Sequence, residues 1–513
     1  MRPFAAGALV FGSAASVLVM EILAARLLAP YVGVTLETYT GIIGTILAAI
    51  AVGTWWGGRL ADRRDPRTLL GPTLMLGGGL ALLIVPIVRA VGALPLGAGV
   101  PAVLVLVLVG FFAPAAVLSA VSPMVVKLQL ASLDRTGSTV GRLSALGTAG
   151  AIAGTFVTGF VLVAAWPTTP ILVGVAIAVI ATGVVVDVAR RRGRRQARTV
   201  GTACLAAIVG GAGAFAVNAA LDPCERESAY YCARVDTAGL NCPDGLTLYL
   251  DTLRHSCVYP DEPTRLGYSY ARRFADVLEA ATGPERPPPD VLHVGGGGFT
   301  LPRYVSATYP GSSNTVLELD QVLVDIAHEK LGFVESADTR VIVGDARTAI
   351  RTLPDQSFDV VFGDAFGGLA VPWHLTTTQW LAEVDRVLRP AGQGAVGGQG
   401  AVDGQGAVGG QGAVGGIYVV NVIDRPPLAF ARSHAASMQQ VFGHVTVYVP
   451  DGVVEGTARG NIVLIGSAAP LPLTASAGNQ LLTGDAAAAF IGDAPALTDD
   501  YAPVDQLLAA GQG

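Results

Sequence analysis

The sequence predicts a chain in two parts: a multi-pass α-helical membrane domain, then an α/β domain introduced by a small β-ribbon. Three observations carry this. The chain is 51% hydrophobic and 14% charged, with mean hydropathy +0.53, against about 25% charged in an average soluble protein. Charge divides by position: residues 1–221 hold sixteen Lys/Arg and six Asp/Glu, a net of +10, and residues 222–513 hold seventeen and thirty-three, a net of −16. From residue 290, Val/Ile/Leu-rich runs alternate with helical patterns, starting with "VLHVGGGGFTLPRY" at 291–304.

A helix needs about 20 apolar residues to cross a bilayer. Candidates lie at 4–29, 36–60, 69–92, 100–128, 143–165, 168–189 and 200–221. The first is too long, and too poorly followed by a cleavage site, for a signal peptide. Small residues recur, as in "GTAGAIAGTFVTGF", and let helix backbones approach closely. Glu21 and Arg26 fall inside the first candidate, as an interfacial pair or a substrate or ion site. The basic loops "GGRLADRRDPR" and "ARRRGRRQAR", with Lys127, Arg135 and Arg142 between them, agree on a cytoplasmic N-terminus. A seventh, uncharged crossing at 200–221 then puts the acidic half outside the cytoplasm. Localisation is thus read as multi-pass in the cell membrane, with the soluble domain extracytoplasmic.

Cys224, Cys232, Cys242 and Cys257 fall within 34 residues past that crossing. Their spacing matches no zinc pattern, and no metal is expected. The cluster suggests two disulfides whose connectivity the sequence leaves open.

Residues 222–288 read as a β-ribbon and linking helix, and 289–513 as an α/β domain. Its strands are "DVLHVGG", "NTVLELD", "TRVIVGDA", "SFDVVFGDAF", "IYVVNVID", "HVTVYVP" and "NIVLIGS". Such runs alternating with helices imply a parallel sheet covered on both faces. A hexapeptide repeat, "GQGAVGGQGAVDGQGAVGGQGAVG", opens a low-complexity insertion at 392–416. Its composition builds no core.

Ligands on such sheets bind beyond the carboxyl ends of the strands. Gly295, Gly296 and Gly297, with Gly298, follow the first strand. Glu318 and Asp320 end the second, where an acid meets ribose hydroxyls. Asp345, followed by Ala346, ends the third. Asp364 ends the fourth. Four such signals on successive strand ends indicate a nucleoside site. A third glycine is replaced by Thr300, and two tandem mononucleotide halves are lacking, so a dinucleotide fits poorly. The pattern resembles the class I S-adenosylmethionine-dependent methyltransferase-like (Rossmann-like) fold.

Within that fold, "LTLYLDTLRHSCVYPDEPTRLGYSYARRFADVL", the glycine loop, "VLELDQVLVDIA", "GDARTAI" and "DVVFGDAFG" occur in the order found in spermidine synthases. The resemblance covers roughly 229–466. Together with the membrane half, the chain resembles the bacterial fused membrane/spermidine synthase-like group of the polyamine aminopropyltransferase family. The resemblance implies aminopropyl transfer from decarboxylated S-adenosylmethionine to a diamine such as putrescine. The donor is then a substrate, and no tightly bound cofactor is expected. It implies donor contacts from the glycines, Glu318, Asp320, Asp345 and Ala346. Asp364 would be the base, and His255 and Tyr268 would face the acceptor. The family usually carries aspartates where this chain has Gly298 and Gly367, a glutamine at His255, and a Tyr-His-Glu run near Tyr268. Those losses favour an alternative: an inactive ligand-binding or sensing domain on a transporter-like bundle. Expected partners are a lipid bilayer and a small-molecule amine. The acidic half argues against nucleic acid, and a homo-oligomer is left open.

Overall fold

The computed structural model describes residues 2–95, 99–130, 136–190, 221–237, 239, 242–282, 287–368, 370–391, 415–458 and 460–510. The expected seventh crossing at 200–221, but for residue 221, and the repeat at 392–415, but for residue 415, lie outside these residues. The described chain divides into two compact units. One comprises 1–234 with 250–252, the other 235–249 with 253–513.

In the first unit six helices are long and apolar enough to cross a bilayer: α1 (Pro3–Val32), α2 (Leu36–Arg63), α3 (Pro66–Gly92), α4 (Val100–Gln129), α5 (Thr136–Ala165) and α6 (Thr168–Ala189). Small residues set their packing. Gly150 and Gly154 lie so close to α1 that a Cβ would stand 2.2 Å from the Phe11 carbonyl oxygen and 2.6 Å from that of Ala15. Close backbone approach of this kind replaces the hydrophobic drive that lipid removes.

The segment after residue 221 meets three helix ends of the same unit. Near the end of α1, Arg26 donates to the Ser228 carbonyl at 2.7 Å. Near the end of α3, Arg89 pairs with Asp222 at 2.7 Å. At the start of α6, the Thr168 amide donates to Glu227 at 2.7 Å. The short strand β1 (Arg226–Glu227) pairs antiparallel with β2 (Cys232–Asp236). Cys224 and Cys232 form a disulfide here, and Cys242 and Cys257 form one in the second unit.

The second unit opens with β3 (Leu246–Leu250), β4 (Leu253–Val258) and α7 (Ser269–Thr282). The strands β5 (Asp290–Val294), β6 (Ser313–Glu318), β7 (Thr339–Val343), β8 (Val360–Gly363), β9 (Ile417–Ile423), β10 (His444–Pro450), β11 (Asn461–Ser467) and β12 (Asn479–Leu482) follow. They form one sheet in the order β12-β10-β11-β9-β8-β5-β6-β7. Its helices are α8 (Thr300–Thr308), α9 (Gln321–Lys330), α10 (Ala346–Ala349), α11 (Thr378–Val387), α12 (Ala429–Gln439), α13 (Gly484–Ile491) and α14 (Val504–Ala509).

The sheet is mixed, which corrects the parallel expectation for its last three strands. β5 through β9 pair in parallel. β11 runs antiparallel to β9 and β10, and β12 antiparallel to β10. Between β10 and β11 the described chain has no helix, only turns. A parallel pair needs a crossover of a dozen or more residues, whereas antiparallel strands join directly. Both faces are covered. Leu292, Val294 and Val361 pack with Trp380 of α11 and Phe430 of α12. Val291, Val360 and Phe362 pack with Phe274 of α7 and Val305 of α8. The carboxyl ends of the parallel strands stay uncovered by these layers, and there the candidate site forms.

Candidate active site

The glycine loop is shaped by what crowds it. Gly295 and Gly297 have φ of +97° and +51°, a backbone that glycine adopts without strain. A Cβ on Gly295 would stand 2.5 Å from the Asp364 carbonyl oxygen, and one on Gly297 would stand 3.0 Å from Cε1 of His255. The loop is therefore pressed between the end of β8 and strand β4.

Glu318, at the end of β6, lies under this loop. Its Oε2 accepts the Gly296 and Gly297 amides at 2.8 and 3.1 Å, and its Oε1 accepts the Asp320 amide at 2.9 Å. It is 6% exposed. Burial raises its pKa, against those three amide donors. Glu318 thus holds the loop through both oxygens.

Asp364 follows β8. Its Oδ2 accepts the Tyr270 hydroxyl at 2.8 Å, and its Oδ1 accepts the Asn421 side-chain amide at 2.9 Å. Asn421 in turn accepts from the Asn461 side chain at 3.0 Å. Burial pushes the Asp364 carboxyl up to about 6, against the two donors. Burial and the adjacent carboxylate raise Tyr270 well above its ordinary value, so it remains a donor.

A cleft opens beside these groups. The structure brings His255, Tyr268, Gly295, Gly296, Gly297 and Asp364 together in its wall, with Ser256 and Tyr270. Ser256 accepts the Gly298 amide at 3.0 Å. Asp320, Asp345 and Ala346 are not in that wall. Asp320 caps α9 through the Val322 amide at 3.0 Å. Asp345 caps α10 through the Arg347 amide at 2.8 Å and faces His374 at 3.2 Å. Ala346, the first residue of α10, packs partly buried against the core.

Tyr270, Asn421 and Ser256 were not read from the sequence as site residues. The available signal was an asparagine within the apolar run "IYVVNVID", a polar group that a buried strand must satisfy. The two positions without the usual aspartates differ. At Gly298 a Cβ would meet Ser256 Cβ at 2.7 Å and Val258 Cγ2 at 2.8 Å, whereas at Gly367 it would meet nothing within 4 Å.

Residues 292–396 match the methyltransferase domain family. The second unit is spermidine synthase-like, on a class I methyltransferase-type fold. A polyamine aminopropyltransferase from Vibrio vulnificus is 34% identical over 140 residues, 27% of this chain and 46% of the relative. A probable polyamine aminopropyl transferase from Bifidobacterium longum is 32% identical over 101 residues, 20% and 22% of the two chains. The matches thus span less than half the length of these relatives, which are transferases by name. A crystal structure of a probable spermidine synthase from Corynebacterium glutamicum aligns over 53% of this chain and 94% of its own, at 26% identity and TM-score 0.45.

Proposed function

We propose that the protein is a membrane-attached transferase that moves the aminopropyl group of decarboxylated S-adenosylmethionine to a small primary amine. Putrescine is the acceptor that the resemblance implies. The observation that carries this reading is Asp364: a strand-end carboxylate in the cleft wall, held by Tyr270 and Asn421, with its pKa raised to about 6. An amine is mostly protonated near neutral pH and must lose a proton before it attacks. A carboxylate of raised pKa is a better match for that proton. Gly295, Gly296 and Gly297 would lie along the donor, oriented by Glu318. Asp320, Asp345 and Ala346 lie at the ends of β6 and β7, on the side assigned to ribose and adenine.

The soluble unit is assigned to the extracytoplasmic side. Arg26, Arg89 and Thr168 mark the ends of α1, α3 and α6 that contact residues 222–228. The basic residues Arg63, Arg64 and Arg67 lie at the opposite end of α3, and α6 is 22 residues long, about 33 Å. Residue 190 ends α6, and Glu227 meets its start, which supports the seventh crossing expected at 200–221. With the basic loops cytoplasmic, residue 222 onward faces away from the cytoplasm.

A second reading, a small-ligand-binding module, draws on Glu318, whose two oxygens are occupied by backbone amides rather than turned to a ligand. One assay separates the two. The purified full chain is incubated with decarboxylated S-adenosylmethionine and a panel of primary amines, and methylthioadenosine is measured. Transfer by the wild type, lowered roughly a hundredfold or more in Asp364→Asn, supports the enzyme. Donor binding without release supports the module.

A further inference from the structure

The described wall of the cleft beside Asp364 carries a single negative charge. Among the described residues in its wall Asp364 is the one carboxylate, and the other polar side chains are His255, Ser256, Thr300 and the tyrosines 268 and 270. Burial pushes His255 down to about 4, so its ring is neutral at pH 7. Glu318 lies beneath the same loop, but its oxygens are taken by three amides.

An ammonium taken out of water needs a counter-charge. A linear diamine brings two such groups, beside the sulfonium and ammonium that the donor already carries into the cleft. Asp364 meets the first, and as the base it loses its charge to the proton it accepts. Among the described residues the wall holds no carboxylate for the second. A further feature marks what belongs there instead. Tyr268 lines the cleft, and its buried hydroxyl has no hydrogen-bond partner among the described residues. A buried hydroxyl left so costs its desolvation, which a polar, uncharged ligand group recovers.

We infer that the acceptor is a primary amine with one cationic end and a neutral hydrogen-bonding group at the other, of the amino-alcohol class, rather than a diamine. The inference rests on the aminopropyl-transfer reading. In the step, the amine nitrogen forms a bond to the aminopropyl carbon as that carbon's bond to the sulfonium sulfur breaks. The sulfur keeps the electron pair and leaves as the neutral thioether, and the amine proton passes to Asp364. Tyr268 bonds the distal hydroxyl.

The test compares 4-amino-1-butanol, n-butylamine and putrescine as acceptors for the full chain, with decarboxylated S-adenosylmethionine as donor. The expected kcat/KM for 4-amino-1-butanol exceeds that for putrescine by roughly tenfold or more. Tyr268→Phe should erase most of the preference for 4-amino-1-butanol over n-butylamine, read as the ratio of the two kcat/KM values within the variant. A preference for putrescine overturns the inference and leaves aminopropyl transfer standing. An unchanged ratio in Tyr268→Phe overturns the role of its hydroxyl. Donor binding with no transfer to any of the three overturns both the inference and the reading beneath it.

Discussion

Glu318 is buried and Asp364 partly buried, and the two acids differ in what their oxygens meet. Asp364 meets two side chains at the edge of a cleft, so its charge is available to a ligand. Its carboxyl sits at about 6 in the fold, against an ordinary 3.8. Below both values it is neutral folded and unfolded. Between them the folded state keeps a proton that the unfolded state releases, so stability falls as pH rises through this window. Asp364→Asn should therefore melt at nearly the parent's temperature at pH 4 and above it at pH 8. A variant that melts lower at pH 8 than at pH 4, relative to the parent, would show that the carboxylate is stabilised rather than strained by its site. Glu318 meets three backbone amides. Glu318→Gln supplies one acceptor oxygen in place of two and turns an amide N–H toward a backbone N–H. The expected cost is about 1–3 kcal/mol, the range for an unsatisfied buried donor. Denaturant unfolding measures it, and a neutral result would mean that the loop is held by other means.

At the scale of elements, the insertion leaves and returns at one point. The Gly416 amide donates to the Arg389 carbonyl at 2.6 Å, and a Cβ on Gly415 would stand 2.8 Å from the Ala391 nitrogen. Arg389 is fixed by Asp359 and Asp290, each at 2.5 Å. Loop-closure entropy grows only logarithmically with length. Replacing residues 392–414 by an Asp-Gly turn should leave the thermal midpoint nearly unchanged, and a drop of many degrees would contradict this. The same scale shows what the sequence made legible. β10 and β11 coincide with the runs "HVTVYVP" and "NIVLIGS", because an apolar run bounded by turn residues marks a buried strand. Helix α12 went unread. It buries Ser433, His434 and Ser437, so it lacks an apolar stripe. The residue before it, Leu428, lies in the left-handed region and provides no side-chain cap, so the helix lacks a start signal. Asp364 was legible as the end of a strand. Its partners Tyr270 and Asn421 lie 94 and 57 residues away, and only the folded sheet brings them to it.

Over the whole molecule, six apolar helices among the described residues and an acidic second unit share one chain, and the proposed topology puts the cleft of that unit outside the cytoplasm. Donor and acceptor then have to reach it from that side. The most direct measurement uses the full chain in sealed, right-side-out vesicles, with decarboxylated S-adenosylmethionine and a primary amine supplied only outside. The account predicts methylthioadenosine at the same rate before and after the vesicles are permeabilised, and almost none from Asp364→Asn vesicles. Product that appears only after permeabilisation would contradict the orientation, and no product in either state would contradict the transferase.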